Sequence, residues 1–398
     1  MNFSVSFLIL ASTYSDSPIF SSRNSQINIK NSIFFRSFSS AVVNYDHVRI
    51  GGSHFSYFLS SCIGIDSNNI NRAILVHSQM FLAETLVIVS ESTFQNCISF
   101  KKGGGGAILL NQMYAEVEIS ECCFQNCKAL RIDSNGGAVS NNQLNGGMNV
   151  TKCQIFGCLS SNCGQAIASM SSTVVLRIND STLIKCPQNL SRNQMESLSS
   201  HSLTYSSRLN ISFSDCETPA FSISRSIILQ YLHVFSISSF YQSCGYTLKT
   251  IHNGITQKYW NLINISQGIS SIGHYVVLGK LIHEFLFISS SLTNTAFIVY
   301  NGELCLSRCS FDKEYTYMGY NGGSISGKLT IQYNLSFRIF ELRQFQCYGN
   351  TGFFSISRSY FLAPAFLSLF SLVITFSLAR MIRYLMRRHQ NSIIIENI

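Results

Sequence analysis

Apolar residues along this chain come in short runs, and most of them alternate with Ser, Thr or Asn rather than with charge. Residues 117–120 (VEIS), 148–151 (MNVT), 174–178 (VVLRI) and 209–213 (LNISF) are four or five residues long and rich in β-branched side chains. A period of two puts alternate side chains on opposite faces, so these runs predict short, half-buried β-strands. One stretch breaks the pattern: 361–379, FLAPAFLSLFSLVITFSLA, is apolar throughout and carries no charge. As a helix it would span about 28 Å, close to the hydrocarbon thickness of a bilayer.

The strand-like runs repeat. SESTFQNC at 90–97 returns as SECCFQNC at 120–127. An apolar residue three before a cysteine then gives Phe94/Cys97, Phe124/Cys127, Ile155/Cys158, Leu183/Cys186, Phe213/Cys216 and Tyr241/Cys244. Leu59/Cys62 extends the series upstream and Leu306/Cys309 downstream. A second landmark trails the first, at 103–109 (GGGGAIL), 135–140 (NGGAVS), 163–169 (CGQAIAS), 218–224 (TPAFSIS), 321–326 (NGGSIS) and 350–356 (NTGFFSIS). A period near 29 is too long for one strand and fits one coil of a parallel β-helix, with three short strands separated by turns. The glycines mark a turn of positive φ, and the following Ala enters a corner with little room for a side chain. Equivalent residues then stack about 4.8 Å apart along the axis. Residues 20–355 would make about eleven or twelve coils at this period, with right-handed crossovers. The LxxLxLxxN spine of leucine-rich repeats is missing, and Gly-Gly pairs with abundant β-branched residues argue against helical repeats.

The alternation of GGA(I/V), at 105–108 and 136–139, with FQNC, at 94–97 and 124–127, resembles the polymorphic outer-membrane adhesins and related right-handed β-helix surface proteins of protists. The likeness is strong over 90–170, degenerate over 171–356 and absent from the tail. It implies an extracellular scaffold related to adhesion. The bacterial members end in a β-barrel, whereas this chain ends in a single apolar segment.

The formal charge of +9 matters less than its location. Arg380, Arg383, Arg387 and Arg388 crowd the far side of the apolar segment, and Arg358 stands before it. Positive residues stay cytoplasmic, so the expected topology is a single pass at the plasma membrane with the N-terminus outside and 380–398 inside. The lipid bilayer is then a partner through the helix, and the tail arginines sit at the anionic inner leaflet. No basic run marks the rest of the chain, which argues against nucleic acid as a partner. Only 12% of residues are charged, so polarity rests on Ser, Thr and Asn. Pro occurs four times, as suits long hydrogen-bonded strands. Residues 1–19 read as a secretory signal, with an apolar run from Phe3 to Ala11 but no Lys or Arg before it, or else as the first strand. Seven Asn-x-Ser/Thr sequons, at Asn2, Asn149, Asn179, Asn189, Asn210, Asn264 and Asn334, permit glycosylation at a frequency that chance also gives.

Candidate chemistry is sparse. Of fourteen cysteines, six stand in one column, and Cys122 and Cys153 share another five residues earlier. The main column reads as a buried ladder in which Cys serves as a small hydrophobe. An extracellular setting favours disulfides among the rest, in pairs that spacing does not assign. Many β-helices are polysaccharide lyases or hydrolases, whose sites need several charged groups on one face. Six residues before the column cysteine stand Glu91, Glu121, Lys152, Asp180, Asn210 and Ser238, which read as a solvated polar edge. No catalytic, metal or cofactor-binding residue is assigned. HExxH, GxSxG and P-loop patterns are absent, and no helix follows the glycines at 103–106. The reading is a non-enzymatic, adhesin-like surface scaffold that contacts glycans or proteins of a host or neighbouring cell. A surface polysaccharide lyase or hydrolase is the alternative.

Overall fold

A computed structural model describes residues 2–331 apart from 15–16, 23–24, 44, 67–84, 101–102, 112–113, 187–195, 213–214, 217–220, 240–243, 251–253, 267–270 and 290–292. The chain divides into two units, Met1–Phe345 and Gln346–Ile398, and every described residue lies in the first. The expected membrane helix at 361–379, the tail at 380–398 and the landmark at 350–356 therefore lie outside the described residues. Among the described residues no helix is long and apolar enough to cross a membrane.

The first unit is an all-β parallel solenoid. Thirty strands join in one hydrogen-bonded sheet that winds around the axis. Three more, Ile98–Ser99, Lys128–Ala129 and Leu159–Ser160, form a short second sheet. Asn2–Ser6 and Ile9–Thr13 are strands of this solenoid, parallel to Gln26–Lys30 and Ile33–Ser37.

One coil shows how the sequence makes the shape. Thr85–Ser90 (TLVIVS) buries every second side chain, and Tyr114–Ser120 of the next coil does the same in register. Glu91 then turns the chain at φ 47°, Thr93–Gln95 forms the second side, and Asn96 turns it again at φ 52°. After Ile98–Ser99 the third corner comes at Gly105, φ 67°, and leads into Ile108–Asn111. A single left-handed residue bends a strand sharply without spending a loop. Asn tolerates that conformation because its side chain bonds locally. Gly105 is required there, since a Cβ would lie 2.2 Å from the Ile108 carbonyl oxygen. The Asn of FQNC is thus a corner residue, as is the Gly of GGA.

Behind the second side runs the main core column. Register pairs Leu10 with Phe34, Phe34 with Phe55, Phe55 with Phe94, Phe94 with Phe124, Phe124 with Ile155 and Ile155 with Leu183. It continues through Ile211, Val234, Leu262, Ile288 and Phe311. The phenylalanine rings stack nearly parallel, with centroids 4.9 Å apart for Phe34–Phe55, 5.1 Å for Phe55–Phe94 and 4.9 Å for Phe94–Phe124. Phe94 and Phe124 are wholly buried on adjacent rungs, as the repeat requires.

The uniform period needs correction. Steps of 30, 31 and 28 hold from Phe94 to Leu183, but Leu10 to Phe34 is 24, Phe55 to Phe94 is 39 and Ile211 to Val234 is 23. Only hydrogen-bonded sides must match their neighbours, so corners absorb changes in length. The expected columns slip accordingly. Leu59 is 41% exposed and Phe55 holds its core position. Ile211 holds the position expected of Phe213, and Val234 follows it, while Phe213 and Tyr241 lie outside the described residues. Cys216 pairs with Ser239 and Cys244 with Ser271, both away from the cysteine column, which among the described residues comprises Cys97, Cys127, Cys158 and Cys186. Phe311, rather than Leu306, continues the core column. Cys309, two residues before Phe311, matches Cys122 before Phe124 and Cys153 before Ile155.

Candidate functional site

The first corner of each coil presents one side chain to the outside. Glu91, Glu121, Lys152 and Asp180 all occupy it, at φ 47–54°, so the stacked edge expected from the sequence exists for these four. Asn210 and Ser238 do not continue it. Asn210 lies in the following strand paired with His233, and the corner passes instead to Arg208, Tyr231, Tyr259, Phe285 and Arg308.

On this edge charge is matched from coil to coil. Lys152 Nζ lies 2.8 Å from Glu121 Oε1. Arg208 grips Asp180 with two nitrogens, Nη2 donating to Oδ2 at 2.7 Å. The Glu121 carboxylate raises the Lys152 ammonium above its ordinary pKa, and Asp180 does the same for Arg208. Farther along, the edge becomes aromatic. Tyr231 stacks on Tyr259 at 4.7 Å, Tyr259 on Phe285 at 4.9 Å, and Arg308 covers Phe285 at 5.3 Å. Lys258–Glu284, 3.0 Å, and Lys280–Glu303, 3.6 Å, neutralise charge on the neighbouring side. Such an edge offers polar and ring surface for contact. Among the described residues no three His, Cys, Asp or Glu side chains stand where they could hold a metal ion.

Inside that corner the sequence has a second job. A left-handed residue interrupts the ladder, and a side-chain oxygen from the next coil satisfies the amide that follows it. Ser32 Oγ accepts from Leu8 N at 3.1 Å, Ser53 Oγ from Ser32 N at 3.2 Å, Ser92 Oγ from Ser53 N at 3.2 Å and Ser181 Oγ from Cys153 N at 3.1 Å. Cys122 and Cys153 sit in this same row, buried and free, and donate to the carbonyls of Ser120 and Thr151. The thiols of Cys97, Cys127, Cys158 and Cys186 are likewise free and buried at the second corner, and burial pushes Cys97 and Cys158 well above the usual thiol range. Cys123 is disulfide-bonded.

The other concentration of polar chemistry is internal. Tyr275 Oη lies 2.8 Å from His283 Nε2 and meets Tyr246 Oη, and the Trp260 ring packs edge-on against His283 at 4.6 Å. All four side chains are fully buried, so solvent does not reach the group. Burial depresses His283 to about 3, and its Nδ1 has no partner. Sequence reasoning missed both this group and the aromatic edge. Each joins residues 21 to 31 apart in coils whose length departs from 29, so a fixed period cannot align them. The chain matches no protein-family model, no curated protein and no solved structure.

Proposed function

We propose that this chain is a membrane-anchored surface scaffold with an adhesin-like role. Its solenoid stands outside the cell with right-handed coils, 361–379 crosses the plasma membrane, and 380–398 lies inside. The observation that carries the reading is the outer corner, where one side chain per coil builds a long edge of matched charges followed by stacked rings. A solenoid turns such a row into an extended contact surface. Low net charge along it suits recognition of neutral, hydroxyl-rich ligands, so glycans or proteins of a host or neighbouring cell are the partners proposed. The nineteen apolar residues with arginines massed on one side support the anchor and its direction. The repeat motifs at 94–97, 105–108, 124–127 and 136–139 support the likeness to β-helix adhesins.

The test is binding by the full chain, displayed on cells that otherwise lack it, to a glycan array and to a panel of host cells. Tyr259→Ser with Arg308→Ser, on the aromatic edge, should reduce capture at least severalfold while surface level stays constant. Capture equal to that of cells without the chain would contradict the proposal.

A further inference from the structure

We propose that Cys62 and Cys97 form a disulfide that staples two adjacent coils. Their sulfurs lie 3.0 Å apart, and both side chains are wholly buried. The contact follows from register. Ile63 pairs with Ile108, so Cys62 takes the position that Ala107 holds one coil later and Ala138 and Ala166 hold after that. Cys97 begins the column that continues through Cys127, Cys158 and Cys186. The two positions that meet as Cys62 and Cys97 are therefore filled by Ala107 and Cys127, Ala138 and Cys158, and Ala166 and Cys186 on the later coils. Only at the first does a thiol replace the methyl group, and there it faces a second thiol.

Position along the solenoid gives the bond a purpose. From Phe55 to Phe94 the chain advances 39 residues, against 30, 31 and 28 for the three following steps. A longer connection costs more entropy to close. A crosslink between residues 62 and 97 removes much of that cost from the unfolded chain.

The chemistry is thiol–disulfide exchange with a small-molecule or protein disulfide as oxidant. One protein thiolate attacks a sulfur of the oxidant and releases one external thiol. The second protein thiolate then attacks the protein sulfur of the mixed disulfide, forming the Cys62–Cys97 bond and releasing the second external thiol. Two protein thiols are oxidised, one external disulfide is reduced, and the two protons leave on the released thiols. Because both sulfurs are fully buried, exchange takes place as the coil closes, and the finished bond is shielded from reductant.

The experiment refolds the full, reduced chain in detergent with oxidised glutathione, alkylates remaining thiols after denaturation, and digests without reduction. The expected product is a linked peptide pair containing Cys62 and Cys97, two hydrogen masses below the sum of the free peptides. Cys62→Ala should fold, because Ala stands at this position in the next coils, and should leave Cys97 alkylated. Alkylation of both Cys62 and Cys97 in the refolded wild-type chain would overturn the proposal, as would linkage of Cys97 to Cys127.

Discussion

His283 is the residue whose environment departs furthest from what its chemistry prefers. It lies in the core between the positions of Gln257 and Leu306, with one nitrogen on Tyr275 and the other unpartnered. A neutral imidazole suits that site and a cation does not, which is why burial lowers it from 6.5 to about 3. The folded chain then binds fewer protons than the unfolded chain below pH 6.5. Its contribution to stability is complete above 6.5 and is lost as the pH falls towards 3. At pH 4.5 the loss attributable to this one group is about 2.7 kcal/mol. Denaturant melts of wild type and His283→Leu, run at pH 7 and pH 4.5, should show a smaller pH dependence in the variant by about that amount. Leu is the chosen replacement because Leu306 fills the same position on the next rung. Equal pH dependence in the two proteins would remove His283 from this role. No sequence motif flags the residue. Its burial arises only because 26 residues separate Gln257 from His283 in this part of the solenoid, a step the repeat at 90–186 does not foretell.

At the scale of strands and coils, stability comes from each column stacking on the next. Phe124 lies between Phe94 and Ile155 in register and is wholly buried. Phe124→Ala would leave a ring-sized gap between two coils and should cost about 3–5 kcal/mol in urea unfolding. Glu121→Ala, three residues earlier on the outer corner, should stay within about 0.5 kcal/mol. Similar losses for the two variants would contradict the coil assignment. This level of the fold was readable where the repeat is strict. FQNC and GGA mark the second and third corners of two consecutive coils, and both motifs have a conformational cause in Asn96, Asn126, Gly105 and Gly136 at positive φ. The reading failed where spacing was carried too far. Tying the core column to a residue three before a cysteine put Leu59, Phe213 and Leu306 where Phe55, Ile211 and Phe311 belong. Cysteine is only one of several small residues that fit a corner, so it is a poor anchor once coil length varies. Four charged residues of the outer edge were correctly aligned because they lie inside the strict repeat.

For the whole molecule, the solenoid explains how a chain so poor in charge keeps an extended and ordered surface. Its backbone groups are paired coil to coil, its apolar residues face inward, and its exposed ions neutralise one another across rungs. The proposed function adds that this surface faces out of the cell. The distribution of lysine makes that claim directly measurable. Lys152 and Lys280 have side chains 44% and 47% exposed, while residues 380–398 contain four arginines and no lysine. A membrane-impermeant amine reagent applied to intact cells should therefore modify Lys152 and Lys280 as fully as it does after the cells are permeabilised. Modification that appears only after permeabilisation would place the solenoid inside the cell and contradict the account.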